Sequence, residues 1–281
     1  MAGAALHFKC EQLQKVGAFK FRGATNAVFS LSDTSAAAGV ATHSSGNHAQ
    51  ALALAARNRG IPAHIVMPSS ASPVKRAAVA GYGASITTCE PTLAARETTL
   101  ERVVARTGAH FVHPYDDHRV IAGAATAALE LHEQVPGLEL LLAPVGGGGL
   151  LAGTALATQL VAPDCRVIGV EPAGADDAFR SMAAGAIIPS VVPCTIADGL
   201  LTSLGQRNFA ILQRCLHSIV TVGEADIVVA MRALWQRAKL LVEPSAAVPL
   251  AALLSGAIDP RGAPTGIILS GGNVDLDGLP W

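Results

Sequence analysis

The sequence predicts an α/β chain built on mostly parallel sheets with helices on both faces. Three observations carry that expectation. Short β-branched runs alternate with longer Ala-rich helical patterns along the 281 residues, as consecutive βαβ units do. Hydrophobic residues make up 51% of the chain and aromatics 4%, a mix that suits Ala/Leu helices on Val/Ile strands and argues against disorder. The segments rich in glycine and hydroxyl groups follow predicted strands, where open parallel sheets bind their ligands.

The length accommodates one large or two modest domains. Strands are expected at 39–43, 63–67, 85–89, 139–145, 166–170 and 265–269, where β-branched or Leu-rich runs are bounded by turn residues. Helices are expected at 20–31, 47–59, 72–80, 93–107, 120–133, 150–160, 224–239 and 246–254, where Ala and Leu recur at helical spacing. The stretch 140–162 has no charged residue and is long enough to imitate a membrane span. Pro144 and a run of glycines near its front break such a helix, so a buried strand, a turn and a buried helix explain it better.

Charge and cysteine usage exclude several classes. The formal net charge is −1, and Lys and Arg are scattered, so neither a polyanionic partner nor nucleic acid is expected. Cys10, Cys89, Cys165, Cys194 and Cys215 are widely spaced with no C-x-x-C pair. They read as reduced thiols in a reducing compartment and not as a disulfide or zinc framework. The opening MAGAALHFKCEQLQK meets charge too early for a secretion signal. A soluble, cytoplasmic protein without membrane partners is the expectation.

Four motifs carry chemistry. Gly146, Gly147, Gly148 and Gly149 lie between a buried strand and a helix. Such a turn exposes backbone N–H groups at a helix N-terminus, where a phosphate is favoured. No Gly-Lys-Ser/Thr follows and the spacing is not that of a dinucleotide fingerprint, so the phosphate belongs to something other than a nucleoside triphosphate. A flexible turn is the bland alternative. The loop HSSGNH places Ser44, Ser45, Asn47 and His48 before a long helix; one serine suffices for an N-cap, and the rest suit a carboxylate cradle. Lys20 stands between Phe19 and Phe21 at a helix start. Most lysines are solvated, but one flanked by aromatics is partly desolvated, which makes its amine a better nucleophile toward an aldehyde. Finally, LSGGN reads as a third strand-to-helix loop, in which Ser270 ends the strand and its hydroxyl can face a flat ligand.

Taken in order, FKCEQLQKVGAFKFRGA, THSSGNHAQALA, GYGAS, VHPYDDHRVIAGAAT, PVGGGGLLAG, EPAGADD, TIADGL, LLVEPSAA and LSGGNVDL resemble one family. The chain is similar, from about His7 to its end, to the serine racemase and threonine dehydratase branch of the β-family (fold type II) pyridoxal-phosphate enzymes. The resemblance implies two open sheets with the cofactor in the cleft between domains. A large cofactor-binding domain of 1–38 and 117–281 would receive a small domain of 39–116.

By the same resemblance, Lys20 holds pyridoxal 5′-phosphate as a Schiff base and moves protons at Cα, with Phe19 packed beside it. Gly146, Gly147, Gly148 and Gly149 bind the phosphate, Asn47 the ring hydroxyl oxygen, and Ser270 faces the pyridine nitrogen. Ser44, Ser45, Asn47 and His48 take the substrate carboxylate, with Arg96 and Asp198 as further pocket residues. Ser45 matches the second acid/base, on the face opposite Lys20. Glu171, the Ala175 carbonyl and Asp177 form a Mg²⁺ or Ca²⁺ site of hard oxygen ligands; an acidic surface turn is the bland alternative. Gln50, Tyr82 and Asn273 match positions that bind an activating nucleotide, ATP, and the assembly implied is a homodimer.

Three departures qualify the resemblance. The N-terminal segment before 6–10 is short, AGAAT with Ala124 and Ala125 replaces the usual AGQGT, and Tyr115 fills a variable pocket position. Little follows SGGN, which favours the racemase or catabolic type over the regulated biosynthetic one. The expected activity is racemisation of serine and dehydration of L-serine and L-threonine to 2-oxo acids and ammonia. The alternatives are a 3-hydroxyaspartate dehydratase, a β-replacement lyase of the same fold type, and an inactive truncated homologue.

Overall fold

The computed structural model of the protein describes residues 3–281. Its first third runs β1 (Leu6–Cys10), α1 (Lys20–Phe29), α2 (Asp33–Ala36), β2 (Val40–His43), α3 (Asn47–Arg59), β3 (Ala63–Pro68), α4 (Pro73–Gly81) and β4 (Ser85–Cys89). The middle follows with α5 (Leu93–Thr107), β5 (His110–Phe111), α6 (His118–Gln134), β6 (Leu140–Pro144), α7 (Gly149–Val161) and β7 (Arg166–Pro172). The chain closes with α8 (Asp177–Ala184), α9 (Gln206–Cys215), β8 (Ser218–Val222), α10 (Glu224–Ala233), α11 (Pro244–Leu254) and β9 (Thr265–Leu269).

The chain divides into two compact units. One holds the chain as far as Phe19 together with Ala124–Trp281, and the other holds Lys20–Gly123. In the first unit a five-stranded sheet has the order β1-β9-β6-β7-β8, every neighbouring pair parallel. Its strands are apolar on both faces, as a sheet covered by helices on both sides requires: TGIIL of β9 is buried throughout. Leu140, Leu142, Ile168 and Ile267 pack with Ile227 and Met231 of α10 and with Ala247 and Leu250 of α11. In the second unit the order is β4-β3-β2-β5, again parallel, with Ala41 and Val66 packed on Leu100 and Val103 of α5. The expected α/β class with parallel sheets is what forms.

The apolar stretch that imitates a membrane span is β6, the glycine turn and α7. No helix among the described residues is long and apolar enough to cross a membrane. Several details depart from the sequence reading. The helix expected at 224–239 changes at Leu234 into a π-helical turn, Leu234–Ala238, closed by Lys239 at φ 60°. There the Trp235 indole donates to the Val242 carbonyl, 3.1 Å away, and fixes the reversal. SGGN does not lead into a helix: Gly272 N–H donates to Gly17 O (2.9 Å) and Gly271 O accepts from Glu243 N–H (3.0 Å). Backbone groups engaged with other segments are not available to start a helix. β5 has two residues, too few to show a period; β8 and the amphipathic α8 and α9 are not among the expected elements, although Gly185 ends α8 in the left-handed region and Gly205 opens α9.

Within the second unit, α1 and α6 meet backbone to backbone. A β-carbon on Gly123 would stand 2.5 Å from the Arg22 carbonyl oxygen and 2.7 Å from Gly23 Cα. One on Gly23 would stand 2.7 Å from the Val120 carbonyl oxygen. The contact sets the position of α1 and hence of Lys20 at its first turn. Gly123→Ala must push backbone and not a flexible side chain, so it is expected to destabilise the fold by about 1–3 kcal/mol. Denaturant unfolding of the two proteins reads this, and an unchanged midpoint would show that α1 and α6 can separate freely.

Candidate active site

The second unit carries the lysine. Lys20 opens α1 and is half-buried; its Nζ donates to the Pro114 carbonyl at 2.7 Å and lies 6.0 Å from the centre of the Tyr115 ring. The turn that presents Pro114 is held by His113, whose Nδ1 accepts from Tyr115 N–H (3.3 Å) and Asp116 N–H (2.8 Å). Its ring also meets Tyr115 edge-on with centroids 4.6 Å apart. A nitrogen that accepts two N–H groups cannot carry a proton. Burial, first of all, and the nearby His43 and Lys20 push the His113 pKa down to about 4, against the opposing pull of Asp116 and Asp117. Sequence reasoning assigned His113 and Pro114 no role, because the importance of a carbonyl and its brace appears only once the chain turns back on Lys20.

Two further histidines of this unit are kept neutral, and His48 lies beside the same amine. His48 is buried; its Nε2 is 3.4 Å from the Val112 carbonyl and its Nδ1 has no protein partner. Burial, and then the Lys20 charge, lower its pKa well below the usual value. His43 stacks on Phe111 and is likewise lowered by burial.

The loop before α3 does not use a serine as N-cap. That position belongs to Gly46, with no side-chain bond to the helix, while Ser44 Oγ accepts from Gly46 N–H at 3.3 Å. The bland reading of the serines thus fails here, and the positive end of a 13-residue helix, uncapped by any side chain, favours an anion. Ser45 and Asn47 are half-buried beside it. Arg96, on α5, is half-buried with its Nε unpaired and its charge acts on His43. Gln50 is buried in α3, and the Tyr82 ring is covered on one face by the Arg57 guanidinium at 5.4 Å.

The first unit carries the glycine turn. Gly146, Gly147, Gly148 and Gly149 are all buried between β6 and α7. Gly148 has φ +90°, and β-carbons at Gly146 and Gly148 would meet Leu200 Cα at 2.9 Å and Leu204 Cδ1 at 2.5 Å. Among the described residues none accepts from the N–H groups of these glycines. Buried, unclaimed donors at the N-terminus of a 13-residue helix fit a phosphate. Ser270, buried directly after β9, accepts from Phe19 N–H through its carbonyl at 2.9 Å, which leaves its hydroxyl for other work. This first unit therefore suits the phosphate and ring of pyridoxal phosphate.

The remaining candidates in this unit differ in character. Glu171 is fully buried, with its two oxygens accepting from Ala178 N–H (3.1 Å) and Phe179 N–H (2.9 Å) of α8; burial pushes its pKa up to about 8. Asp177 Oδ2 accepts from Leu204 N–H at 2.9 Å, Oδ1 is unpaired, and burial raises the pKa to about 6. Ala175 is buried in the intervening turn. No cluster of three or more His, Cys, Asp or Glu side chains among the described residues could hold a metal, so a cation here would need main-chain oxygens too. Asp198 is exposed at a 3₁₀ turn. Asn273 Nδ2 donates to Val16 O at 2.7 Å and its N–H to Glu243 Oε2 at 3.1 Å.

The burial of His113, together with the two bonds its Nδ1 accepts, has a pH consequence. Its pKa is lowered in the fold, so the unfolded chain takes up the proton first as acid is added. The stability it lends is complete above pH 6.5 and is lost progressively down to about pH 4. Asn offers an acceptor oxygen that does not titrate. His113→Asn is expected to lose about 2–3 kcal/mol less than the parent between pH 7 and pH 4, measured by denaturant unfolding at both pH values. Parallel acid losses would refute the assignment.

A family model described as pyridoxal-phosphate dependent enzyme matches residues 1–271. A beta-hydroxyaspartate dehydratase of Paracoccus denitrificans (strain Pd 1222) is 52% identical over 281 residues, covering 100% of this chain and 89% of that protein. The crystal structure of serine racemase from Dictyostelium discoideum superposes with a TM-score of 0.94 at 46% identity, over 98% of this chain and 89% of the other. That of a T.th. threonine deaminase does so with a TM-score of 0.91 at 44% identity, over 98% and 89%. With this match along nearly its whole length, and with buried main-chain donors suited to the cofactor's phosphate, the chain belongs to the pyridoxal-phosphate-dependent enzyme family.

Proposed function

We propose that the protein is a lyase and racemase of small hydroxy-amino acids. It would dehydrate L-serine and L-threonine to 2-oxo acids and ammonia and racemise serine. The observation that carries this reading is the setting of Lys20, an amine on the Pro114 carbonyl beside the two neutral imidazoles of His48 and His113. The 52% identity to a beta-hydroxyaspartate dehydratase favours 3-hydroxyaspartate as a second substrate, with Arg96 a suitable partner for the additional carboxylate.

Bound pyridoxal phosphate supplies an electron sink for the pair left at Cα when its proton is removed. In this proposal Gly146, Gly147, Gly148 and Gly149 hold the phosphate through their N–H groups, Asn47 the ring oxygen, and Phe19 packs alongside. Ser270 offers the ring nitrogen a neutral hydroxyl and so does not enforce its protonation. Lys20 would hold the cofactor through its Nζ and, with substrate bound, would take the Cα proton. The uncharged histidines add no positive charge that would oppose this. Ser44, Ser45, Asn47 and His48 receive the substrate carboxylate at the N-terminus of α3, with Arg96 and Asp198 lining the rest. Ser45 carries a proton on the opposite side, which racemisation requires and elimination does not.

The proposal extends to a cytoplasmic homodimer with a large domain of 1–38 and 117–281 and a small domain of 39–116. It includes a Mg²⁺ or Ca²⁺ ion at Glu171, the Ala175 carbonyl and Asp177, supported by two buried carboxyls with one oxygen unpaired. It also includes ATP as an effector at Gln50, Tyr82 and Asn273, although Tyr82 and Asn273 already have protein partners.

Assays of 2-oxo acid release and D-serine formation from L-serine, L-threonine and 3-hydroxyaspartate test the reading. Lys20→Ala is expected to abolish the yellow colour of the holoenzyme and lower turnover at least about a thousandfold. Ser45→Ala should suppress racemisation far more than elimination. A wild-type protein that binds the cofactor and turns over none of the three would refute the proposal.

A further inference from the structure

We infer that Asn208 is the positioning residue that aims the glycine turn at the phosphate. The inference rests on the proposed phosphate role of Gly146, Gly147, Gly148 and Gly149. Asn208 lies in the first turn of α9 and is fully buried. Its Nδ2 donates to the Gly147 carbonyl at 2.6 Å, and Gly205 N–H donates to the same oxygen at 3.1 Å. A buried carbonyl pinned by two donors has its direction fixed. In a trans peptide the C=O and the following N–H point opposite ways, so fixing the Gly147 carbonyl toward α9 turns the Gly148 N–H away from α9. That N–H is one of the unclaimed donors of the turn.

Shape reinforces the bond. A β-carbon at Gly148 would meet Leu204 Cδ1 at 2.5 Å and Asn208 Cβ at 2.9 Å, so the turn rests flush on the start of α9. This support is itself tied from behind, because Leu204 N–H donates to Asp177 Oδ2 at 2.9 Å. The segment from Leu204 to Asn208 thus braces the turn on one side and hangs on a buried acid on the other. An Asn buried in a helix is unfavourable unless its amide has specific work, and the work here is to orient a neighbouring peptide.

The test separates the phosphate from the rest of the cofactor. The full chain, freed of cofactor, is titrated with pyridoxal 5′-phosphate and with pyridoxal, which lacks the phosphate, following visible absorbance. Asn208→Leu keeps the volume and loses the donor. It is expected to weaken pyridoxal phosphate about tenfold while pyridoxal changes by less than about twofold, so the preference for the phosphorylated ligand collapses. Asn208→Asp, which faces the Gly147 carbonyl with an oxygen, should show the same selective loss and serves if the leucine variant does not fold. Equal losses for both ligands would assign Asn208 a general structural role and overturn the inference, as would no loss at all. A wild-type chain that binds pyridoxal as tightly as pyridoxal phosphate would instead overturn the phosphate reading of the turn, a separate result.

Discussion

A buried peptide N–H needs a partner, and the turn between β6 and α7 holds several that no described residue satisfies. That constraint organises the first unit. The parallel sheet places the turn at the carboxyl end of β6, α7 adds the positive end of its dipole, and glycine is required because backbone and side chains of 200–208 lie where β-carbons would stand. The arrangement is stable as protein only because its carbonyls are well used, Gly147 O above all. Its free donors then suit a compact anion without any lysine or arginine in the turn.

The second unit meets a different requirement: an amine that must be held in place and still be reachable. Lys20 Nζ donates to the Pro114 carbonyl. The imidazoles near it are kept uncharged by burial and, for His113, by two accepted bonds. The close approach of α1 to α6 at Gly23 and Gly123 fixes where the lysine starts. The loop at Ser44 contributes another helix N-terminus without a side-chain cap, its serines released from that task by Gly46. Each feature belongs to backbone placement more than to side-chain identity.

The same scaffold occurs in a serine racemase of Dictyostelium discoideum and a T.th. threonine deaminase. In the function proposed above, both reactions begin with removal of the Cα proton by Lys20; racemisation then returns a proton to Cα from the other side, whereas elimination expels the β-hydroxyl. On that proposal the difference falls on the loop hydroxyls and on the side chains lining the substrate pocket, not on the cofactor supports.

The fold class was legible in the order of residues alone, as were the segments that carry the candidate site. Strand alternation, the glycine run after an apolar strand, and a lysine between two phenylalanines are local patterns, and local patterns survive in one dimension. The sequence could not reveal His113 beneath Tyr115, the Pro114 carbonyl under Lys20, or Asn208 behind Gly147, because the last two pairs lie 94 and 61 residues apart and His113 acts only through the turn it braces. It also extended α10 across the π-helical turn at 234–238 and expected a helix after SGGN. Those outcomes were decided by where distant segments supply or claim backbone hydrogen bonds, a contest that exists only once the chain is folded.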